Sequence, residues 1–169
     1  SFMASVLQLN KLNDIYLHII NKILKIKTNI DEKVSIQIPH FFVEDLNNYL
    51  YLKEILEKNR GKNLIFEIEE ESLNKNFSNT LMYIKLFKEF DFEFAVYNFI
   101  ANSDDYSYLK ELKPLYIKMS NYFLTESIQS LNILKILTQS LDIKLIATLV
   151  DENIDFSQLE ELGINAVAK

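Results

Sequence analysis

Cysteine is absent from the 169-residue chain, so no disulfide framework, thiolate zinc site or cysteine nucleophile can exist. Glycine and proline number only 2 each, which rules out a collagen-like, linker-rich or disordered chain. Arg60 is the sole arginine, and this nearly excludes forked guanidinium clamps on phosphates. Positive charge is in deficit: 18 Lys+Arg against 24 Asp+Glu leave a net charge of -6, the wrong sign for a nucleic-acid polymer. No apolar run approaches the roughly 18–20 residues that span a bilayer. Ser1-Phe2-Met3 lacks the basic region and h-region of a signal peptide, so none is expected. A cytoplasmic domain without membrane insertion is expected. What is present is core material, with 49% hydrophobic and 25% charged residues, enough for a single domain over 1–169.

Two hydrophobic periods alternate along the chain, and that alternation predicts the fold class. Val6, Leu9, Ile15, Ile19, Ile20 and Ile23 mark an apolar helix from Met3 to about Lys25. Lys33–Pro39 predicts a strand with Val34, Ile36 and Ile38 on one face. One helix from Val43 to about Lys58 follows, with Gly61 past its end. Asn63–Glu70 reads as a strand, Phe77 to Phe87 as a helix and Glu93–Phe99 as a strand. A short helix over Tyr106–Leu112 stops at Pro114, which disfavours helical geometry in the residue before it. Leu115–Met119 predicts a strand and Thr125–Gln139 a helix buried through Ile128, Leu131, Leu134 and Leu137. Ile143–Val150 is a strand apolar enough for burial on both faces. Phe156–Leu162 is a helix capped by Gly163, and Ile164–Ala168 begins a last strand. Such alternation means an α/β fold with a largely parallel sheet. About six strands suit either an open flavodoxin-like sheet or a (β/α) barrel short of its usual eight, and strand order separates the two.

In parallel α/β folds chemistry gathers at the C-terminal strand ends. These ends carry Gln37, then Glu67, Glu69 and Glu70, then Tyr97 and Asn98, then Lys118, then Thr148 with Asp151. The segments around them read LIFEIEEESL, FEFAVYNF, DDYSYLKELKPLYIKMSNYFL, LDIKLIATLVDE and LEELGIN. In that order they resemble the motifs of the EAL domain family, from about Phe2 to Lys169 and most strongly between Asn63 and Gly163. The resemblance implies a (β/α) barrel, incomplete or distorted because the first strand with the Glu-Ala-Leu motif is missing. It also implies a part in bacterial cyclic di-GMP signalling. The family activity is hydrolysis of that dinucleotide with two Mg or Mn ions held by carboxylates and an asparagine.

Laid on this chain, the family pattern keeps Glu67 from E-I-T-E, Glu70 in the second acidic place and Lys118 from K-I-D. Gln37 stands at the metal-binding asparagine, Tyr97-Asn98 at the paired aspartates of D-D-F-G, and Ile100 at its glycine. Ser120 replaces the aspartate after the lysine, Thr148 the glutamate of A-E-G-V-E, and Ala168 the glutamine near the last strand. Glu67 alone offsets only part of the charge of two dications about 3.5–4 Å apart. The resemblance therefore implies a vestigial pocket of Gln37, Glu67, Glu70, Asn98 and Lys118, with no metal and no cofactor. Glu67 and Lys118 would be the remnants of its catalytic set. The expected function is a catalytically inactive EAL-like regulatory module of a larger signalling protein, acting through a protein partner or as a homodimer. One alternative is a non-hydrolysing cyclic di-GMP receptor, in which Lys118 meets one phosphate against the repulsion of Glu67, Glu69, Glu70, Glu71, Asp104 and Asp105. The other is a residual phosphodiesterase.

Plainer roles fit several of these residues. Glu67–Glu71 reads as a solvated loop with one inward member, since neighbours on a strand face opposite ways. Glu67 with Lys118 reads as an ion pair at the barrel mouth. His40 reads as an ordinary loop residue and His18 as a structural helix residue. Phe87, Phe90, Phe92, Phe94 and Phe99 read as core, and Asp104-Asp105 as the cap of the helix that follows. A strand at Lys33–Pro39 without a neighbour leaves an edge open to a partner.

Overall fold

The computed structural model describes residues 2–26, 32–100, 106–120, 128–148, 156–161 and 163–167. In chain order its elements are α1 (Phe2–Ile26), β1 (Val34–Ile38), α2 (His40–Glu44), α3 (Leu46–Glu57), β2 (Leu64–Glu69), α4 (Glu70–Lys75) and α5 (Phe77–Glu89). They continue with β3 (Glu93–Phe99), α6 (Ser107–Leu112), β4 (Tyr116–Met119), α7 (Ile128–Ser140), β5 (Lys144–Thr148), α8 (Phe156–Glu161) and β6 (Asn165–Val167). The strands are ordered β1-β2-β3-β4-β5-β6, and the pairs from β3 to β6 are parallel. A doubly wound sheet reverses its order at a switch point. The described strands never do, so the architecture is an incomplete (β/α) barrel, its sheet open with β1 and β6 outermost. No described helix is long and apolar enough to cross a membrane.

The chain divides into two compact units, Ser1–Glu67 with Glu71–Glu93, and Ile68–Glu70 with Phe94–Lys169. The first unit is built on aromatic packing. Phe66 of β2 stacks on Phe87 of α5 with ring centroids 4.2 Å apart and meets Phe92 edge-on at 5.5 Å. Tyr83 is fully buried among Phe42, Tyr49 and Phe87, and its hydroxyl donates to the Asp45 carbonyl at 3.0 Å. Burial pushes the Tyr83 phenol far above its ordinary range, and the nearby Asp45 charge adds to the shift.

The single helix expected from Val43 to Lys58 is two helices. Asp45 is extended (φ -92°, ψ 109°), and its carboxylate accepts from the Asn47 amide at 2.9 Å and from Asn13 Nδ2 at 3.1 Å. A short acceptor of this kind satisfies an orphan donor of the new helix, so the chain restarts at Leu46 although the apolar period runs through. The face expected of β1 is buried only toward its end: Ile38 is inside, Ile36 half-buried and Val34 exposed, as an outermost strand allows.

The second unit has Ala95, Val96, Ile117, Met119, Leu145 and Ala147 buried along β3, β4 and β5. Leu109, Leu112, Leu131 and Leu134 are buried on its helices, while Leu137 is half-buried. Lys113 adopts the left-handed region (φ 49°) and ends α6 ahead of Pro114, as the proline predicts. Gly163 (φ 69°) reverses the chain after α8, and the amide of Ile164 returns to the carbonyl of Leu159 at 2.9 Å. The expected Asp104-Asp105 cap, Thr125, Val150, Asp151, Leu162 and Ala168 lie outside the described residues, as do the side chains of Ile128 and Thr148.

Candidate functional site

The acidic run after β2 changes period as the strand becomes a helix, and this decides which members turn inward. Glu67 and Glu70 are each only 1% exposed, and Glu69 is half-buried. Strand alternation places Glu67 inward, and the helical turn that opens at Glu70 brings a second carboxylate in. The expected solvated loop with one inward member is thus corrected to a strand–helix junction with two. Glu71 is the solvated member. Its hydrogen bond to Lys75, together with the lysine charge, holds its carboxyl below the usual carboxylate range.

The end of β3 is shaped by a register shift between Val96 and Phe99 in its pairing with β4. Asn98 takes a left-handed conformation (φ 52°), which asparagine tolerates better than most side chains do. From there its Nδ2 donates to Glu69 Oε1 at 3.2 Å. Two residues on, the Ile100 amide donates to Glu70 Oε2 at 2.8 Å. The buried carboxylate of Glu70 therefore fixes the backbone that leaves β3. Tyr108 of α6 belongs to the same neighbourhood. Burial raises its phenol far above the ordinary range, and the negative charge of Glu70 raises it further.

The remaining expected residues belong to both units. Gln37 is exposed on β1, and Glu67 is buried in β2, both in the first unit. Lys118 is half-buried on β4 in the second unit, with Nζ 5.6 Å from the ring centroid of Tyr116, its same-face neighbour on the strand. His40 is not a loop residue: it opens α2, with Nε2 3.1 Å from Glu44 Oε1 one turn on. His18 lies on the exposed side of α1. Phe87, Phe90, Phe92, Phe94 and Phe99 are all buried, as expected of core. Tyr108 escaped the sequence reading, because nothing in Tyr106-Ser107-Tyr108 distinguishes a phenol facing a buried acid from any helical aromatic.

The donor set can be tested against the two dications of the family mechanism. Among the described residues no three His, Cys, Asp or Glu side chains are placed to hold a metal ion. At the β3 end, Tyr97 offers a phenol and Asn98 a carboxamide whose nitrogen is turned to Glu69, while one oxygen of Glu70 accepts from a backbone amide. Hard cations take several oxygen ligands each, preferably anionic. The described residues do not fit a dication pair.

No curated protein sequence matches this chain. Solved structures do. The Vibrio cholerae LapD S helix–GGDEF–EAL structure bound to c-di-GMP superposes with a TM-score of 0.80 at 20% identity, over 95% of this chain and 42% of LapD. The c-di-GMP complex of the PaMucR phosphodiesterase gives 0.77 at 16% identity, over 97% of this chain and 77% of that one. The Xanthomonas citri FimX EAL domain in complex with c-diGMP gives 0.75 at 14% identity, over 96% and 70%. In its apo form LapD is covered over 39% of its length, so the chain spans about two fifths of these LapD structures. At such identities the superpositions establish the fold. The family follows from the sequence itself: the EAL domain model matches residues 1–168, and the chain belongs to the EAL domain family.

Proposed function

We propose that this EAL domain is a catalytically inactive regulatory module of cyclic di-GMP signalling, working in the cytoplasm through contact with a protein partner or a second copy. One observation carries the reading. Where the family pattern has paired aspartates, Tyr97 and Asn98 stand, and the Asn98 amide donates to Glu69 at 3.2 Å. A carboxylate there would repel Glu69 unless a cation lay between them. An amide needs none. In-line attack on a phosphodiester by the two-metal route requires ions to generate the nucleophile and to stabilise the leaving oxygen, so the reading carries no Mg or Mn cofactor.

The test is calorimetry with cyclic di-GMP, with and without Mn, and product analysis on the same samples. The expected result is neither turnover nor tight binding. A double variant, Tyr97→Asp with Asn98→Asp, should lose stability in chelator and recover part of it in Mn. Turnover by the unmodified chain would overturn the reading. A receptor reading has one observation in its favour, since LapD and FimX are solved with c-di-GMP bound. Tight binding without hydrolysis would select it.

A further inference from the structure

Helix α1 carries more apolar surface than its surroundings cover. Ile20 and Leu24 are fully buried, and Tyr16, Leu17 and Ile23 are half-buried. Leu12, Ile15, Ile19 and Ile26 nevertheless stay 40% to 67% exposed. At 3.6 residues per turn these four fall within an arc of about 60°, beside the buried stripe. Their spacing of i, i+3, i+7 and i+14 is that of a coiled-coil seam.

Charge selects what covers this seam. Lys11 and Lys22 are exposed and follow the seam on its solvent side, and Lys25 comes next around the helix. Asp14, the only acid of α1, lies beyond Lys25 on that same side, about 100° around the helix from Ile15, where it lines a groove with His18, Lys25, Tyr51 and Glu54. A second copy laid antiparallel on the seam would bring the lysine rows together, and one laid parallel would offer them no acid. The four anchors form a narrow line without Trp or Phe, unlike the broad face of a membrane-surface helix. The net charge of -6 also disfavours an anionic lipid surface.

We infer that the Leu12–Ile15–Ile19–Ile26 seam of α1 docks an amphipathic partner helix whose apolar ridge is bordered by Asp or Glu. This rests on the protein-contact reading above and supplies its surface. It is tested with the full chain and a labelled helical peptide of about three heptads, Leu and Ile at the seam positions and Glu beside them. Anisotropy should show binding that weakens with salt. A peptide with Lys in place of Glu should bind at least about tenfold more weakly. Ile15→Lys with Ile19→Lys, both at exposed positions, should abolish binding with an unchanged circular dichroism spectrum. Lys11→Glu with Lys22→Glu should reverse the preference between the two peptides. Equal binding of both peptides, binding of neither, or no reversal would overturn the inference. So would adsorption to anionic vesicles, or a dimer of the chain lost in the Ile15→Lys/Ile19→Lys variant, in place of peptide binding. Cyclic di-GMP turnover on the same preparation judges the inactive-module reading separately.

Discussion

Replacing Glu70 by Ala removes the acceptor that holds the Ile100 amide, and two opposed effects set the size of the loss. A hydrogen bond to a charged acceptor contributes about 1.5–3 kcal/mol net. Against that, the substitution relieves the cost of keeping a carboxylate 1% exposed. Ile100 is itself half-buried, so water reaches its freed amide in part, and the penalty falls at the low end, about 1.5–2 kcal/mol. Glu70→Gln separates the effects, since a carboxamide oxygen at the same place still accepts from the amide but without charge assistance. The expected order of Ile100 amide protection in hydrogen exchange is parent, then Glu70→Gln, then Glu70→Ala. The last should exchange about 10–30-fold faster than the parent. The global midpoint should fall by only a few degrees, at about 2–4 °C per kcal/mol for a chain of this size. In Glu70→Gln the Tyr108 phenol should also titrate lower than in the parent, because a negative neighbour is gone. It should stay above the free value, because burial is the larger cause. Unchanged protection in Glu70→Ala, or weaker protection in Glu70→Gln than in Glu70→Ala, would refute the anchoring role.

Three further outcomes check other parts of the structure. Asp45→Ala removes the cap of α3 and the partner of Asn13, and should cost about 1–2 kcal/mol in urea unfolding with an unchanged slope. Lys113→Gly should raise the melting temperature, since a left-handed residue at a helix end is relieved by glycine, worth about 0.4–1 kcal/mol. The depressed Glu71 carboxyl contributes stability that is present above the ordinary carboxylate range and lost as pH falls through its lowered value. Titration followed by NMR should show that lowering, and Lys75→Ala should remove most of it.

The strand–helix alternation was legible because each element keeps one period long enough to be seen. Glu93–Phe99 and the aromatic core around Phe87 appear as read. Three features were not legible, each for a local reason. The break at Asp45 interrupts no apolar period, and only its capping geometry reveals it. The burial of Glu70 depends on where the strand period yields to the helical one, and in five residues of Glu67-Ile68-Glu69-Glu70-Glu71 either phase fits. The shallow burial of β1 depends on its place at the margin of the sheet, which its own alternation does not encode. Of the pocket residues, Asn98 and Glu70 do stand at the strand ends as motif order implied, but their bonding depends on a register shift invisible in composition.

The same register shift bears on how Glu69 gains a donor at the strand end. A left-handed residue at Asn98 admits glycine, asparagine or aspartate at low cost and few others. Among those three, glycine would leave Glu69 without this donor, and aspartate would set two carboxylates about as close as the 3.2 Å contact seen. Asparagine alone meets the backbone demand and supplies a donor to the acid. A single substitution to Asn thus changes the electrostatics of the site while keeping its backbone. The geometry gives Glu69 a donor from within the chain. If that is correct, Asn98→Asp alone should be destabilised more strongly at neutral pH than at pH 4, where protonation relieves the repulsion. The difference should shrink in the presence of Glu69→Gln. Independence from Glu69→Gln, measured as additive losses in a double-mutant cycle, would end this account.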